Sequence, residues 1–164
     1  MAEAPIESRV HLLLRAGGHT VATAESLTGG RLAARLTDTP GASETYLGGV
    51  VTYATALKES LLGVPAEVVE RQGVVSAECA EAMASGVKAL TGASYALATT
   101  GVAGPDSQEG KPAGTVYVGI AAAGLVTSTR LELTGSRVEI QTETCERALG
   151  ELEALLRREE PAVG

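Results

Sequence analysis

At 164 residues the chain has the length of one domain, and with 45% hydrophobic residues it can bury a core without staples. Its 13 basic and 20 acidic residues leave a formal charge of -7, which excludes the clustered cations of a general nucleic-acid grip but not one local anion site. Two cysteines, Cys79 and Cys145, cannot form a disulfide framework or a zinc set; no basic-then-apolar leader opens the chain and no stretch approaches the roughly 20 apolar residues of a membrane span, so a cytoplasmic protein without membrane contact is expected.

In chain order, the first helix is expected from Pro5, with Ile6, Val10, Leu13 and Leu14 at helical spacing and Gly17-Gly18 as its stop. Thr20 to Ala24 reads as a short strand running into Glu25-Ser26-Leu27-Thr28-Gly29-Gly30, and a helix follows through Leu36. Pro40-Gly41 turns the chain into a second strand, Leu47 to Tyr53, where Gly48-Gly49 marks a bulge or close approach. Thr55 is suited to cap a short helix ending at Gly63, Pro65 opens another that stops at Gly73, and Ser76 caps a third reaching about Leu90. Tyr95 to Thr100 is an apolar strand, followed by a loop from Gly101 to Pro112. Gly114 to Ala122 and Leu125 to Leu133 form a hairpin around Ala123-Gly124. Ser136-Arg137-Val138-Glu139 has the capping-box pattern of a last helix, with Val138, Cys145, Leu149, Leu152 and Leu156 on one face, and Glu159 to Gly164 reads as a frayed tail.

Strands alternating with helices, then a late hairpin, predict an α/β fold: a three-layer α/β/α sandwich with a mixed β-sheet, one domain over 1–164 with an ordered core of about 6–156. In such sheets ligands gather at the loops after the strands, which here are Glu25 to Gly30, Tyr53 to Lys58 and Thr99 to Pro105.

Ser26, where a strand hands over to a helix, reads either as a helix cap or as a nucleophile whose oxyanion the amides of Thr28, Gly29 and Gly30 would hold. Neither His11 nor His19 falls in the glycine-rich loops, so a Ser-His-Asp triad is not expected. Lys58, five positions after Tyr53, reads either as a solvated helix lysine or as a desolvated base, with Tyr53 relaying a proton or orienting it. Arg137 sits in the first turn of a helix, where the dipole disfavours a cation, so it points to a bound anion or to pairing with Glu139 or Glu143. Thr100 and Gly101 open a loop of hydroxyls and amides that reads equally as a plain strand end. Cys79 and Cys145 read as small buried hydrophobes.

Together these segments resemble a known family. Thr23-Ala24-Glu25-Ser26-Leu27-Thr28-Gly29-Gly30 is similar to its TAES-x-TGG motif, and Gly48 to Tyr53 with Lys58 and Leu62-Gly63-Val64 is similar to its second glycine-tyrosine-lysine segment. Gly73-Val74-Val75-Ser76 resembles its GAVS turn, and Thr100 to Pro105 with Lys111 to Val116 resembles its TGIAGP and KPVGTV pair. The family is the C-terminal domain of the competence/damage-inducible protein CinA, also found alone as nicotinamide-nucleotide amidohydrolase, and the likeness runs from about Ile6 to Leu156. It implies hydrolysis of nicotinamide mononucleotide to nicotinate mononucleotide and ammonia, with Ser26, Tyr53 and Lys58 catalytic and Thr28, Gly29, Gly30, Thr100, Gly101 and Arg137 around the substrate. It also implies self-association, no metal and no cofactor, and the absence of the pyrophosphatase domain of longer members. The pattern is broken at Leu27, Thr55, Ser136 and Gln141, the last standing where a second arginine is often found. Those changes leave open an amidase for another small amide, or a nucleotide-binding or assembly module without catalysis.

Overall fold

A computed structural model of the chain describes residues 2–160, so most of the expected frayed tail, Pro161 to Gly164, lies outside the described residues. Five strands form one mixed sheet: β1 (Val21–Glu25), β2 (Tyr46–Val51), β3 (Tyr95–Gly101), β4 (Thr115–Ala122) and β5 (Leu125–Glu132), in the order β2-β1-β3-β4-β5. β1 pairs in parallel with both β2 and β3, β3 meets β4 antiparallel, and β4 and β5 form the expected hairpin.

Six α-helices cover the sheet: α1 (Ile6–Gly17), α2 (Arg31–Thr37), α3 (Thr55–Leu62), α4 (Ala66–Gln72), α5 (Ala77–Thr91) and α6 (Arg137–Glu159). Strand alternation sends Val21, Leu97, Val118 and Ile120 into one core with α1, α2 and α6. The opposite face offers Ala22, Ala24, Ala96, Ala98 and Ala121 to α5, which brings Met83 and Val87, while α3 adds Leu62. This is the three-layer sandwich predicted, and its small-residue face explains how a chain without Phe or Trp fills its interior.

The helix after Gly30 starts at Arg31 as expected, with Gly29 and Gly30 at left-handed φ of 58° and 99° just before it. Several other local expectations are corrected. Ala54, not Thr55, holds the N-cap position of α3, with no side-chain cap. The capping box of α6 is present and Cys145, Leu149, Leu152 and Leu156 are buried as expected, but Val138 is 60% exposed and Ile140, Thr144 and Ala148 complete the buried face. A short 3-10 turn, Ala42–Glu44, was not signalled. Cys79 and Cys145 are free and buried, and burial pushes their thiols up to about 11 and about 12. His11 is buried, its ring bonded to Thr45 Oγ1 and, at 2.6 Å, to the Leu36 carbonyl oxygen, which makes it part of the packing between α1 and α2. Among the described residues no helix is long and apolar enough to cross a membrane, and no group of three His, Cys, Asp or Glu stands together to hold a metal.

Candidate active site

Parallel register puts the C-terminal ends of β1, β2 and β3 on one edge: Glu25 lies opposite both Val51 and Thr99. A cavity of about 440 Å³ opens at that edge, lined among others by Ser26, Tyr53, Lys58, Thr100, Gly101 and Arg137. Three distant segments therefore converge where the parallel half of the sheet meets the antiparallel half.

Ser26 follows β1 directly, its amide donating to the Thr99 carbonyl at 3.0 Å, and its residue is 9% exposed. Lys58 reaches it from the first turns of α3. Lys58 is 1% exposed, and its Nζ donates to Ser26 Oγ at 2.9 Å, to the Thr52 carbonyl at 2.6 Å and to the Tyr53 carbonyl at 3.3 Å. Among the described residues no carboxylate forms an ion pair with it. Burial disfavours its ammonium and lowers its pKa below the ordinary lysine value, against weaker opposing pulls from Cys79 and Glu109. A neutral amine has two N–H bonds and one lone pair. The two backbone carbonyls can take the N–H bonds, which leaves the lone pair facing the serine hydroxyl.

Tyr53 lines the same cavity but does not touch the serine-lysine pair through its phenol. The residue is 60% exposed, and its hydroxyl accepts from Arg137 Nη2 at 2.9 Å. Only its backbone carbonyl meets Lys58. Arg137 also donates from Nη1 to the Gly104 carbonyl at 2.6 Å, so the guanidinium is fixed at the cavity mouth between α6, the end of β2 and the loop after β3. Thr100 is buried, its hydroxyl donating to the Val74 carbonyl at 2.6 Å, and Gly101 is held tight because a side chain there would press on Val116 and the Thr115 carbonyl.

Thr28, Gly29 and Gly30 are a correction: they lie outside the cavity lining, and the Gly29 and Gly30 amides are already taken, Gly29 by the Ser26 carbonyl at 3.1 Å and Gly30 by Glu25, while the Thr28 amide meets no acceptor within the described residues. The fully buried Glu25 carboxylate fills the start of α2, accepting from the Gly30, Leu32 and Ala33 amides at 3.2, 2.8 and 3.1 Å and from Thr28 Oγ1 at 2.6 Å. The glycines thus serve to wrap the chain around Glu25. The Leu27 amide, next to Ser26 and at the cavity, meets no acceptor within the described residues.

Other site residues escaped the sequence reading. Asp106, Ser107 and Gln108 line the cavity from the loop after Pro105, together with Val74 and Val75 of the α4–α5 turn. Gln141 is buried and donates from Nε2 to the Leu27 carbonyl at 2.9 Å, so it braces the segment after the serine and does not reach into the cavity. The departure at that position was visible; its contact was not. Thr52 Oγ1 is buried beside the pair without a partner in the described residues.

The model of the CinA C-terminal domain matches residues 3–156. A CinA-like protein of Frankia casuarinae is 48% identical over 141 residues, 86% of this chain but only 33% of that protein. The chain spans about a third of the length of the relatives it matches. Among solved structures, a competence-damaged protein (CinA) superfamily protein from Klebsiella pneumoniae superposes with a TM-score of 0.91 at 35% identity, covering 93% of this chain and 96% of the other. The competence/damage inducible protein CihA of Agrobacterium tumefaciens gives 0.86, also at 35% identity, covering 94% and 99%. Sequence and fold agree, and the chain belongs to the CinA C-terminal domain family.

Proposed function

We propose that the chain is a serine amidohydrolase that releases ammonia from the carboxamide of a pyridine mononucleotide, nicotinamide mononucleotide first among them. The observation that carries this reading is the buried, unpaired Lys58 amine at 2.9 Å from Ser26 Oγ inside the cavity. A buried lysine without a counter-ion is costly unless it is neutral, and a neutral amine at hydrogen-bond distance from a hydroxyl is a general base already in place.

In the forward step Lys58 takes the Ser26 proton as Oγ bonds to the carboxamide carbon, and the carbonyl π electrons move to oxygen. The Leu27 amide, next to the serine in the chain and without an acceptor in the described residues, is the backbone donor for that oxyanion in this reading. Lys58 returns the proton to the departing nitrogen, the C–N bond breaks and ammonia leaves. Water then attacks the ester with Lys58 again as base, releasing the carboxylate and restoring Ser26. Arg137, held by Tyr53 and Gly104, supplies the cation for a phosphate at the mouth. Tyr53 in this reading positions Arg137 and leaves proton transfer to Lys58.

The test is ammonia release from nicotinamide mononucleotide and from nicotinamide by the wild type, Ser26→Ala and Lys58→Ala. Each variant should lose about 10³-fold or more in kcat, as removal of such groups does in other serine hydrolases. The mononucleotide should be strongly preferred. Turnover retained in Ser26→Ala would reject the covalent route, and binding of the mononucleotide without any ammonia from the wild type would favour a binding module.

A further inference from the structure

The loop after β3 contains a two-residue hairpin with an unsuitable residue at its tip. The Gln108 amide donates to the Lys111 carbonyl at 3.0 Å and the Lys111 amide to the Gln108 carbonyl at 2.9 Å, leaving Glu109 and Gly110 as the turn. Both have positive φ, 54° and 73°, as a type I′ turn requires. Such turns favour Asn-Gly or Asp-Gly, and Glu109 is the one non-glycine residue at positive φ among the described residues.

What holds glutamate there is its carboxylate. Oε2 accepts from the Val74 amide at 3.0 Å and Oε1 from the Val75 amide at 2.9 Å, while Lys111 Nζ donates to the Val75 carbonyl. Gly73, at φ 79°, leaves the space, since a Cβ there would come within 2.6 Å of both carboxylate oxygens. Asparagine, the better turn residue, has a shorter side chain with a single acceptor oxygen, so it cannot hold both amides from this position. Val74 and Val75 line the cavity on one side of this joint; Asp106, Ser107 and Gln108 line it on the other. Thr100 fixes the same turn from the strand through the Val74 carbonyl.

We propose that Glu109 is a positioning residue, whose carboxylate latches the 105–112 hairpin onto the 73–75 turn and thereby holds one wall of the substrate cavity in its binding shape. Glu109 makes no hydrogen bond to Ser26 or Lys58 and reaches Lys58 only as a weak charge pull set against its burial, so the latch serves binding first. Its role in catalysis rests on the amidohydrolase reading; its existence as a latch does not.

Glu109→Asn separates the two things a structural residue could be doing there, because it improves the turn and removes the latch. Glu109→Gln keeps the reach with one acceptor oxygen and serves as partial rescue. Amide hydrogen exchange should become about tenfold faster or more at Val74 and Val75 in Glu109→Asn, with the thermal midpoint unchanged or higher. KM for nicotinamide mononucleotide should rise by about tenfold with kcat within about threefold of wild type, and Glu109→Gln should fall between. Unchanged exchange in Glu109→Asn would overturn the latch. Faster exchange with an unchanged KM would overturn its role at the cavity. A wild type that releases no ammonia would sink the amidohydrolase reading instead, and exchange at Val74 and Val75 would still decide whether the latch exists.

Discussion

Lys58 is a buried lysine with no carboxylate partner among the described residues, and the proposed chemistry of the site follows from how that conflict is relieved. Its pKa is lowered by burial first, so the neutral base is present at a lower pH than for a lysine in water, which titrates near about 10.4. Protonation silences the base, so kcat/KM should climb as pH rises and level off once Lys58 is neutral, with an apparent pKa below the ordinary lysine value. A pH–rate profile on a substrate that does not itself titrate in the range checks this. Activity that falls with rising pH across the same range would mean that the ammonium, not the amine, is the working form. At this scale the sequence was partly legible. Arg137 stands out because a cation in the first turn of a helix is poorly explained by its element, whereas Ser26 and Lys58 read equally as a helix cap and a solvated lysine until the family motifs are matched. Glu25 and Gln141 do not stand out, since a strand-end glutamate and a helix glutamine look like ordinary surface residues until their buried acceptors and donors are seen. Tyr53 was placed at the right cavity with the wrong partner, because spacing along the chain says nothing about whether a phenol points inward to the lysine or outward to the arginine.

Among the elements, α1 and α6 pack together on one side of the sheet, and a buried-edge ion pair ties them. Arg9 Nε donates to Glu153 Oε1 at 2.9 Å and Nη2 to Oε2 at 3.0 Å, a bidentate pair 144 residues apart in sequence. That hydrogen bonding to Arg9, with help from Arg157, holds the Glu153 carboxyl at about 2. A depressed folded-state pKa stabilises the protein above the unfolded carboxyl value, and the gain is lost as pH falls from about 4 towards about 2. Arg9→Leu should therefore lower the urea midpoint at neutral pH, though only slightly because the pair lies at the surface. The cost should shrink towards pH 2. Urea unfolding of the two proteins at both pH values measures it, and an equal difference at both would show that Arg9 acts by packing alone. Elements themselves were the most readable level. Every helix and strand expected from periodicity and from Gly and Pro punctuation exists, with ends displaced by one or two residues.

For the molecule as a whole, the two layers are unequal. The α1–α6 side is built from branched aliphatic residues, whereas α5 lies directly on alanines and on Gly119, where a Cβ would run into the Ala80 carbonyl oxygen. Interiors this close have no slack, so Gly119→Ala should destabilise by about 1–3 kcal/mol although it adds one methyl, and Gly119→Val by more. A lowered thermal midpoint in both, graded by size, is the expected result; an unchanged midpoint in the alanine protein would mean that α5 can lift away at little cost. No sequence pattern announced this closeness, because glycine in a strand is compatible with a bulge, a bend or a near approach. The cavity joins the unequal layers: Lys58 comes from the α5 side, Arg137 from the α6 side, and Ser26 from the strand between them.

Glu25 has a consequence for what can be recognised at that junction. In many α/β proteins a phosphate would settle on the free amides where the first strand turns into its helix. Here a carboxylate of the chain is the permanent tenant, and a visitor would have to evict it. Grip on a phosphorylated molecule must then come from a guanidinium projecting from another helix. Such a hold weakens as ionic strength rises and is far less choosy about how many phosphates follow the first.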